Sequence, residues 1–164
     1  PVGTVTVGEQ GLIRVVTGIL NIGEASAVPV IRAALQAGST GEGLVMIDCP
    51  PGSGCSVMES VEAADACVLV AEPTAFGLHN FKMVHELVRL FQKPCGVVIN
   101  KAEGAYPLLE DFCAQAGIPI LCRIPYSKEL ARLCAAGRIA CAEDEEWSRL
   151  FVRLLHRVCG EGAG

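Results

Sequence analysis

The segment from Val45 to Gly54 carries the residue types with the most evident chemistry. An apolar run ends at Asp48, and the sequence Cys-Pro-Pro-Gly-Ser-Gly follows it. A carboxylate at the end of a strand can bind Mg²⁺ directly or through water, and Gly52 can present its backbone N–H to a phosphate. We therefore predict a metal ligand at Asp48 and a phosphate contact at Gly52. The alternative is a tight turn in which Asp48 caps the following helix.

Three further polar sites follow apolar runs. Asn100 and Lys101 come directly after Val-Val-Ile, and an asparagine amide offers both a donor and an acceptor to an adenine edge. Pro125 and Tyr126 form a strand-to-helix turn whose backbone can line a base pocket, and the loop that begins at Glu72 opens another helix. The alternative at each site is an ordinary polar strand end or turn.

The elements that must position these residues alternate regularly from residue 44 onward. Four short runs rich in β-branched residues are predicted strands, and segments with apolar residues at helical spacing separate them; the runs cover residues 44–48, 66–71, 96–100 and 118–124. The runs are apolar at both odd and even positions, which is typical of strands buried on both faces. We therefore predict an α/β fold with a mostly parallel sheet between helix layers. Gly117 and Ser127 mark a helix end and a helix start, and residues 1–23 read as an irregular strand or hairpin entry segment.

Composition narrows the class of protein. The 164 residues fit one domain, so we predict a single domain over 1–164. The net charge of −5 argues against a nucleic-acid partner. Nine cysteines without regular spacing suggest small buried hydrophobes in the reducing cytoplasm, with a shared metal or Fe–S site as the alternative. No secretory signal or spanning apolar run is visible in this sequence.

The last predicted helix, over residues 144–159, joins an apolar stripe to several basic residues. This make-up is typical of helices that lie on membranes. Its acidic start followed by basic residues equally suits a helix macrodipole, and an apolar stripe is what any packed surface helix shows. We therefore predict that this helix packs on the sheet rather than binding a membrane.

Four of these sites together resemble one known family. Ile-Asp-Cys-Pro-Pro-Gly-Ser-Gly-Cys at 47–55 resembles the switch II segment of the MinD/ParA/Mrp class of P-loop ATPases. Glu-Pro-Thr-Ala-Phe-Gly-Leu-His at 72–79 resembles the next strand-end loop in the branch that carries an inserted ferredoxin domain. Val-Ile-Asn-Lys at 98–101 and Ile-Pro-Tyr at 124–126 fall where the family keeps its adenine-contacting elements.

The resemblance implies a P-loop NTPase-like, MinD-like fold that is incomplete at its N-terminus, with ATP and Mg²⁺ as cofactors. Asp48 would then hold Mg²⁺, Gly52 would contact the γ-phosphate, and adenine would lie against Asn100, Lys101 and the backbone of Pro125 and Tyr126. A [4Fe–4S] cluster would belong only to the missing ferredoxin insertion. The implied partners are a nucleotide, a second copy in a homodimer, and an iron–sulfur or redox protein.

One departure from the family limits these expectations. The family's deviant Walker A loop, K-G-G-x-G-K-T, has no counterpart, since this sequence contains no Gly-Lys dipeptide. The Gly-rich residues 38–43 contain no Lys and cannot replace it. We therefore assign no catalytic residue and expect no hydrolysis by this chain alone. The alternative function is a non-catalytic protein-interaction module with a degenerate nucleotide site.

Overall fold

A computed structural model describes residues 1–39 and 43–160. The described elements, in chain order, are β1 (Gly3–Gln10), β2 (Ile13–Leu20), α1 (Val28–Gly38), α2 (Cys55–Ala63), β3 (Cys67–Ala71), α3 (Ala75–Leu90), β4 (Cys95–Ala102), α4 (Pro107–Ala116), β5 (Ile120–Pro125), α5 (Lys128–Ala135), α6 (Ala140–Glu143) and α7 (Glu145–Cys159). They form two compact units. Unit 1 comprises Pro1–Asp65 and Glu86–Lys93, and unit 2 comprises Ala66–His85 and the chain from Pro94 onward. Of the Gly-rich sequence at 38–43, residues 40–42 lie outside the described residues.

Unit 1 begins with a regular β-hairpin where an irregular strand or hairpin was predicted. Strands β1 and β2 pair antiparallel from Gly3 opposite Leu20 to Gln10 opposite Ile13, leaving a two-residue turn. Helix α1 packs closely on one face, since a Cβ added at Gly3 or Gly18 would lie 2.6 or 2.8 Å from the Val30 side chain. Glycine at these two positions therefore lets the hairpin and the helix approach each other.

Helices α1 and α2 of unit 1 are joined by an ion pair. The Arg32 guanidinium donates two hydrogen bonds to the Glu59 carboxylate, each 2.7 Å long, from Nε to Oε2 and from Nη2 to Oε1. Such bidentate pairs fix the relative orientation of the two groups as well as attracting them. The pair therefore links the two helices at their surface.

The predicted strand over residues 44–48 is wrong. This segment has no regular secondary structure, and the side chains of Leu44, Val45 and Met46 are exposed. Among the described residues, no strand pairs with it. A strand requires a neighbour for its backbone N–H and C=O groups, so an apolar run without a neighbour remains irregular.

Unit 2 contains the predicted α/β arrangement, with a three-stranded parallel sheet flanked by helices. The strand order is β3-β4-β5, and helices α3 and α4 provide the connections between successive strands. The strands predicted over 66–71, 96–100 and 118–124 are confirmed, with shifts of one or two residues at their ends. Parallel neighbours of this kind need a helical crossover, which explains the alternation seen in the sequence.

The core of unit 2 centres on β4 and α4. Val97, Val98 and Ile99 are almost fully buried, as are Leu109 and Cys113 of α4. Burial on both faces, which the sequence predicted for every strand, therefore holds for β4. The prediction is wrong for β3, an edge strand that buries Leu69 and Ala71 but leaves Val68 and Val70 41% and 63% exposed. An edge strand has a neighbour on one side only, so fewer side chains cover it.

The helix boundaries of unit 2 follow local sequence signals. The Ser127 hydroxyl accepts a hydrogen bond from the backbone N–H of Leu130 and so caps α5. Gly117 ends α4 in the left-handed conformation, with φ of +68°. Helix α7 contacts β5, where Arg157 donates to the carbonyl oxygen of Leu121 at 2.5 Å. Within the described residues, no helix is long and apolar enough to cross a bilayer.

Candidate functional site

The carboxyl ends of the three parallel strands of unit 2 form the candidate site. Strands β3, β4 and β5 end at Ala71, Ala102 and Pro125, and the loops that follow carry polar side chains. Ligands of open α/β sheets bind in the crevice outside this edge. The register therefore brings Glu72, Lys101 and Tyr126, which are far apart in sequence, to one edge.

The backbone at Asn100 and Lys101 departs from regular strand geometry. The pairing of β4 with β5 shifts between Ile99 and Ala102, so these two residues sit at an irregularity in the ladder. Lys101 has φ of +54°, in the left-handed region that non-glycine residues seldom adopt. The Asn100 Oδ1 atom accepts a hydrogen bond from the Lys101 backbone N–H at 3.0 Å. This leaves the Asn100 NH₂ group as the side chain's donor at the strand end.

An ion pair spans the ends of β3 and β4. The Lys101 ammonium lies 2.6 Å from Oε1 of Glu72, and both side chains are about half exposed. The hydrogen bond to Glu72 and the charge of this carboxylate raise the pKa of Lys101 above its ordinary value. Glu72 therefore holds the Lys101 side chain across the sheet edge. In the sequence Glu72 marked only the start of a loop, and no local signal predicted its pairing with Lys101.

A surface cavity of about 430 Å³ opens beside this ion pair. Its lining includes both members of the pair together with Thr74, Tyr106 and Tyr126. The volume falls within the range of roughly 300–1,000 Å³ that small-molecule sites occupy. A second cavity of similar size shares Gly104 and Ala105 with it and is lined also by Pro125 and the Arg123–Glu110 ion pair.

The cavities bring together some of the predicted base-contacting residues. Lys101 and Tyr126 line one cavity, and Pro125 lines its neighbour. Asn100 lines neither, although its side chain fixes the backbone of the adjacent Lys101. The structure therefore brings Lys101 and Tyr126 to one cavity, whereas Asn100 is adjacent to Lys101 in sequence but lines neither cavity.

The predicted metal and phosphate residues, Asp48 and Gly52, belong to unit 1. Asp48 is exposed in the irregular segment, and Gly52 has φ of +102°, a conformation that suits glycine. The alternative in which Asp48 caps the next helix is wrong, because the N-cap of α2 is Gly54 and no side chain bonds to this helix start. Among the described residues, no group of three or more His, Cys, Asp or Glu side chains could hold a metal.

Comparisons with known proteins found partial similarity to two of them. The chain is 40% identical over 63 residues to the chlorophyllide reductase 35.5 kDa chain of Rhodobacter capsulatus, an alignment that covers 38% of this chain and 19% of that protein. It is 26% identical over 87 residues to an uncharacterized protein of Methanocaldococcus jannaschii, covering 52% of this chain and 32% of that protein. The matches thus span less than a third of either relative. No protein-family model matches the chain.

Proposed function

We propose that this chain is a portion of the ATP-binding domain of a P-loop ATPase of the MinD/ParA/Mrp kind, and that the carboxyl edge of unit 2 holds the adenine. The observation that carries the proposal is the irregular, left-handed backbone at Lys101, which Asn100 holds beside a cavity of ligand size while Glu72 pairs with the Lys101 side chain. Sparsely populated backbone conformations of this kind cluster at functional sites.

The proposed adenine contacts follow from the groups at this edge. The Asn100 NH₂ group is a donor that suits a ring nitrogen of adenine, and the backbone carbonyl oxygen of Pro125 can accept from the exocyclic amine. The Tyr126 ring is about half exposed and offers an aromatic face for stacking on a base. The Glu72–Lys101 pair would define one wall of the base pocket.

For Mg²⁺ and the phosphate groups we propose Asp48 and Gly52, as the sequence resemblance implies. Asp48 would contribute a carboxylate to Mg²⁺, which usually binds one or two carboxylates together with phosphate oxygens and water. Gly52, whose φ is positive, would turn its backbone N–H toward a phosphate. Because this sequence lacks the lysines of a Walker A loop, we propose nucleotide binding without hydrolysis by this chain.

The partial similarity to a chlorophyllide reductase chain supports a reductive context for the longer protein. From the sequence resemblance we also propose an iron–sulfur or redox protein as the partner and a homodimer as the assembly. In this proposal this chain binds the nucleotide, and its partners carry out the electron transfer.

A titration followed by NMR tests the proposal. With Mg²⁺ and ATP, we expect saturable shifts of the backbone amides at 101–106 and 126–127, and no phosphate release. Asn100→Ala should weaken binding about 5- to 30-fold, because losing a buried hydrogen bond costs about 1–2 kcal/mol. The matched control is Asn80→Ala on α3, which should bind like the unchanged chain. Binding unaffected by Asn100→Ala would rule out the assigned adenine contacts.

The exposed side chains of Val68 and Val70 favour a second candidate, a protein-interaction module that binds no nucleotide. Exposed apolar patches of this kind often mark interaction surfaces. This candidate predicts an unchanged amide spectrum when Mg²⁺ and ATP are added. The same titration therefore separates the two functions.

A further inference from the structure

Two cysteines lie side by side at the amino ends of β3 and β4. Cys67 is the register partner of Cys95 in the parallel ladder, and both residues are half-buried. Neighbouring strands are about 4.8 Å apart, and register partners present their side chains on the same face of a sheet. The next partners on that face are the buried Leu69 and Val97. The two thiols therefore share one side of the sheet at fixed spacing.

We propose that Cys67 and Cys95 form a reversible disulfide site, whose oxidant is a small-molecule disulfide. Disulfides join cysteines whose Cα atoms are about 4.4–6.8 Å apart, a range that includes the spacing of adjacent strands. Their Cβ atoms usually lie about 3.5–4.5 Å apart, so the two strands must approach slightly at this end when the bond forms. Such a bond is readily reduced, which is typical of regulatory rather than structural disulfides.

The oxidation balances with this single oxidant. One protein thiolate attacks the small disulfide, forming a mixed disulfide and releasing the first small thiolate. The second protein thiol gives its proton to solvent and attacks the protein sulfur of the mixed disulfide, which releases the second small thiolate. Two protein thiols are thereby oxidised, and the small disulfide is reduced to two small thiols.

A third thiol lies near this pair and is its main competitor. Cys113 of α4 is buried, and its pKa is raised by burial first and then by Glu110 and Cys95. Burial also raises the pKa of the Cys95 thiol. Because the thiolate is the attacking form, oxidation at Cys95 should speed up as the pH rises above neutral. The direct register of Cys67 with Cys95 favours their bond over one between Cys95 and Cys113.

Peptide mapping tests the site on the native chain. The chain is treated with oxidised glutathione at low concentration, alkylated in acid, and digested with trypsin and a Glu-specific protease. Cys67 is then the single cysteine of peptide 63–82, and Cys95 that of peptide 90–101. We expect these peptides to form the most abundant intrachain link, about tenfold above any other, since the ladder holds them in bonding range. Dithiothreitol should release it.

Variants and unfolding controls complete the test. Cys67→Ser and Cys95→Ser should each abolish this link, whereas Cys134→Ser, at an exposed position on α5, should leave it unchanged. In urea the preference for the 67–95 link should disappear, a result that needs no variant to fold. Three outcomes contradict the proposal: a dominant link between 90–101 and 111–123, a preference that persists in urea, or glutathione adducts without any 67–95 bond.

Discussion

The runs at residues 45–48 and 97–100 have nearly the same sequence pattern but different structures. Val-Met-Ile-Asp and Val-Val-Ile-Asn each combine three apolar residues with a short polar one. The second is the centre of β4, where Val97 and Val98 are 0% and 2% exposed. The first pairs with no strand in the described part of the chain, and Val45 and Met46 are 55% and 81% exposed.

The difference shows that an apolar run forms a strand only when neighbouring strands pair with it, whatever its composition. β4 is paired with β3 on one side and β5 on the other, so its backbone groups are satisfied and its side chains are covered on both faces. The same pairing fixes the polar strand end: Lys101 is held by Asn100 and Glu72, while Asp48 remains exposed. The strand end in unit 2 therefore carries polar side chains held by defined contacts, whereas Asp48 in unit 1 lies exposed on an irregular segment.

The largest expected effect tests whether the stability of unit 2 depends on the buried core formed by β4 and α4. Leu109→Ala empties a fully buried position of α4 and should lower the free energy of unfolding by about 2–5 kcal/mol. The adjacent Leu108 is 63% exposed, so Leu108→Ala should change it by less than about 0.5 kcal/mol. Urea denaturation measures both. Equal effects would mean that α4 does not pack in solution as the structure shows.

The parts of the fold that depend on local patterns were predictable from the sequence. The alternation of apolar runs and helical segments gave the three strands of unit 2, and single residues such as Ser127 and Gly117 marked the helix ends. These signals are local, because strand propensity and capping depend on a few adjacent residues.

The remaining features depend on contacts between distant residues. Whether 44–48 becomes a strand depends on a neighbour that its own residues do not specify. The Glu72–Lys101 pair depends on the order of β3 and β4 in the sheet. The left-handed backbone of Lys101 has no local signal, since that conformation is usually reserved for Gly, Asn or Asp. The sequence therefore supplied candidate residues one at a time, and the geometry that joins Lys101 to Glu72 could not be predicted from it.

A prediction of intermediate size compares residues 45–48 directly with residues 97–100. Val98→Ala removes two buried methyl groups from β4 and should cost about 2 kcal/mol of unfolding free energy. Val45→Ala makes the same chemical change at an exposed position and should cost less than about 0.5 kcal/mol. Thermal and urea denaturation provide the comparison. If Val45→Ala proves as costly as Val98→Ala, then residues 44–48 are covered in solution and the contrast between the two runs is lost.

The smallest expected effect concerns the surface ion pair that links α1 and α2 of unit 1. The hydrogen bonds from Arg32 hold the pKa of Glu59 below its ordinary value, and the Arg32 charge acts in the same direction. A carboxyl whose pKa is lower in the folded chain stabilises the fold fully above its ordinary pKa, and this contribution disappears as the pH falls through the lowered pKa.

Arg32→Gln should return the Glu59 pKa to its ordinary range in a carboxyl ¹³C NMR titration, while Glu62→Gln should leave it lowered. The stability difference between Arg32→Gln and the unchanged chain should be present at neutral pH and vanish in acid, whereas the cost of Leu109→Ala should not follow the Glu59 titration. A stability difference for Arg32→Gln that persists unchanged in acid would show that Arg32 acts through packing of its side chain and not through its charge.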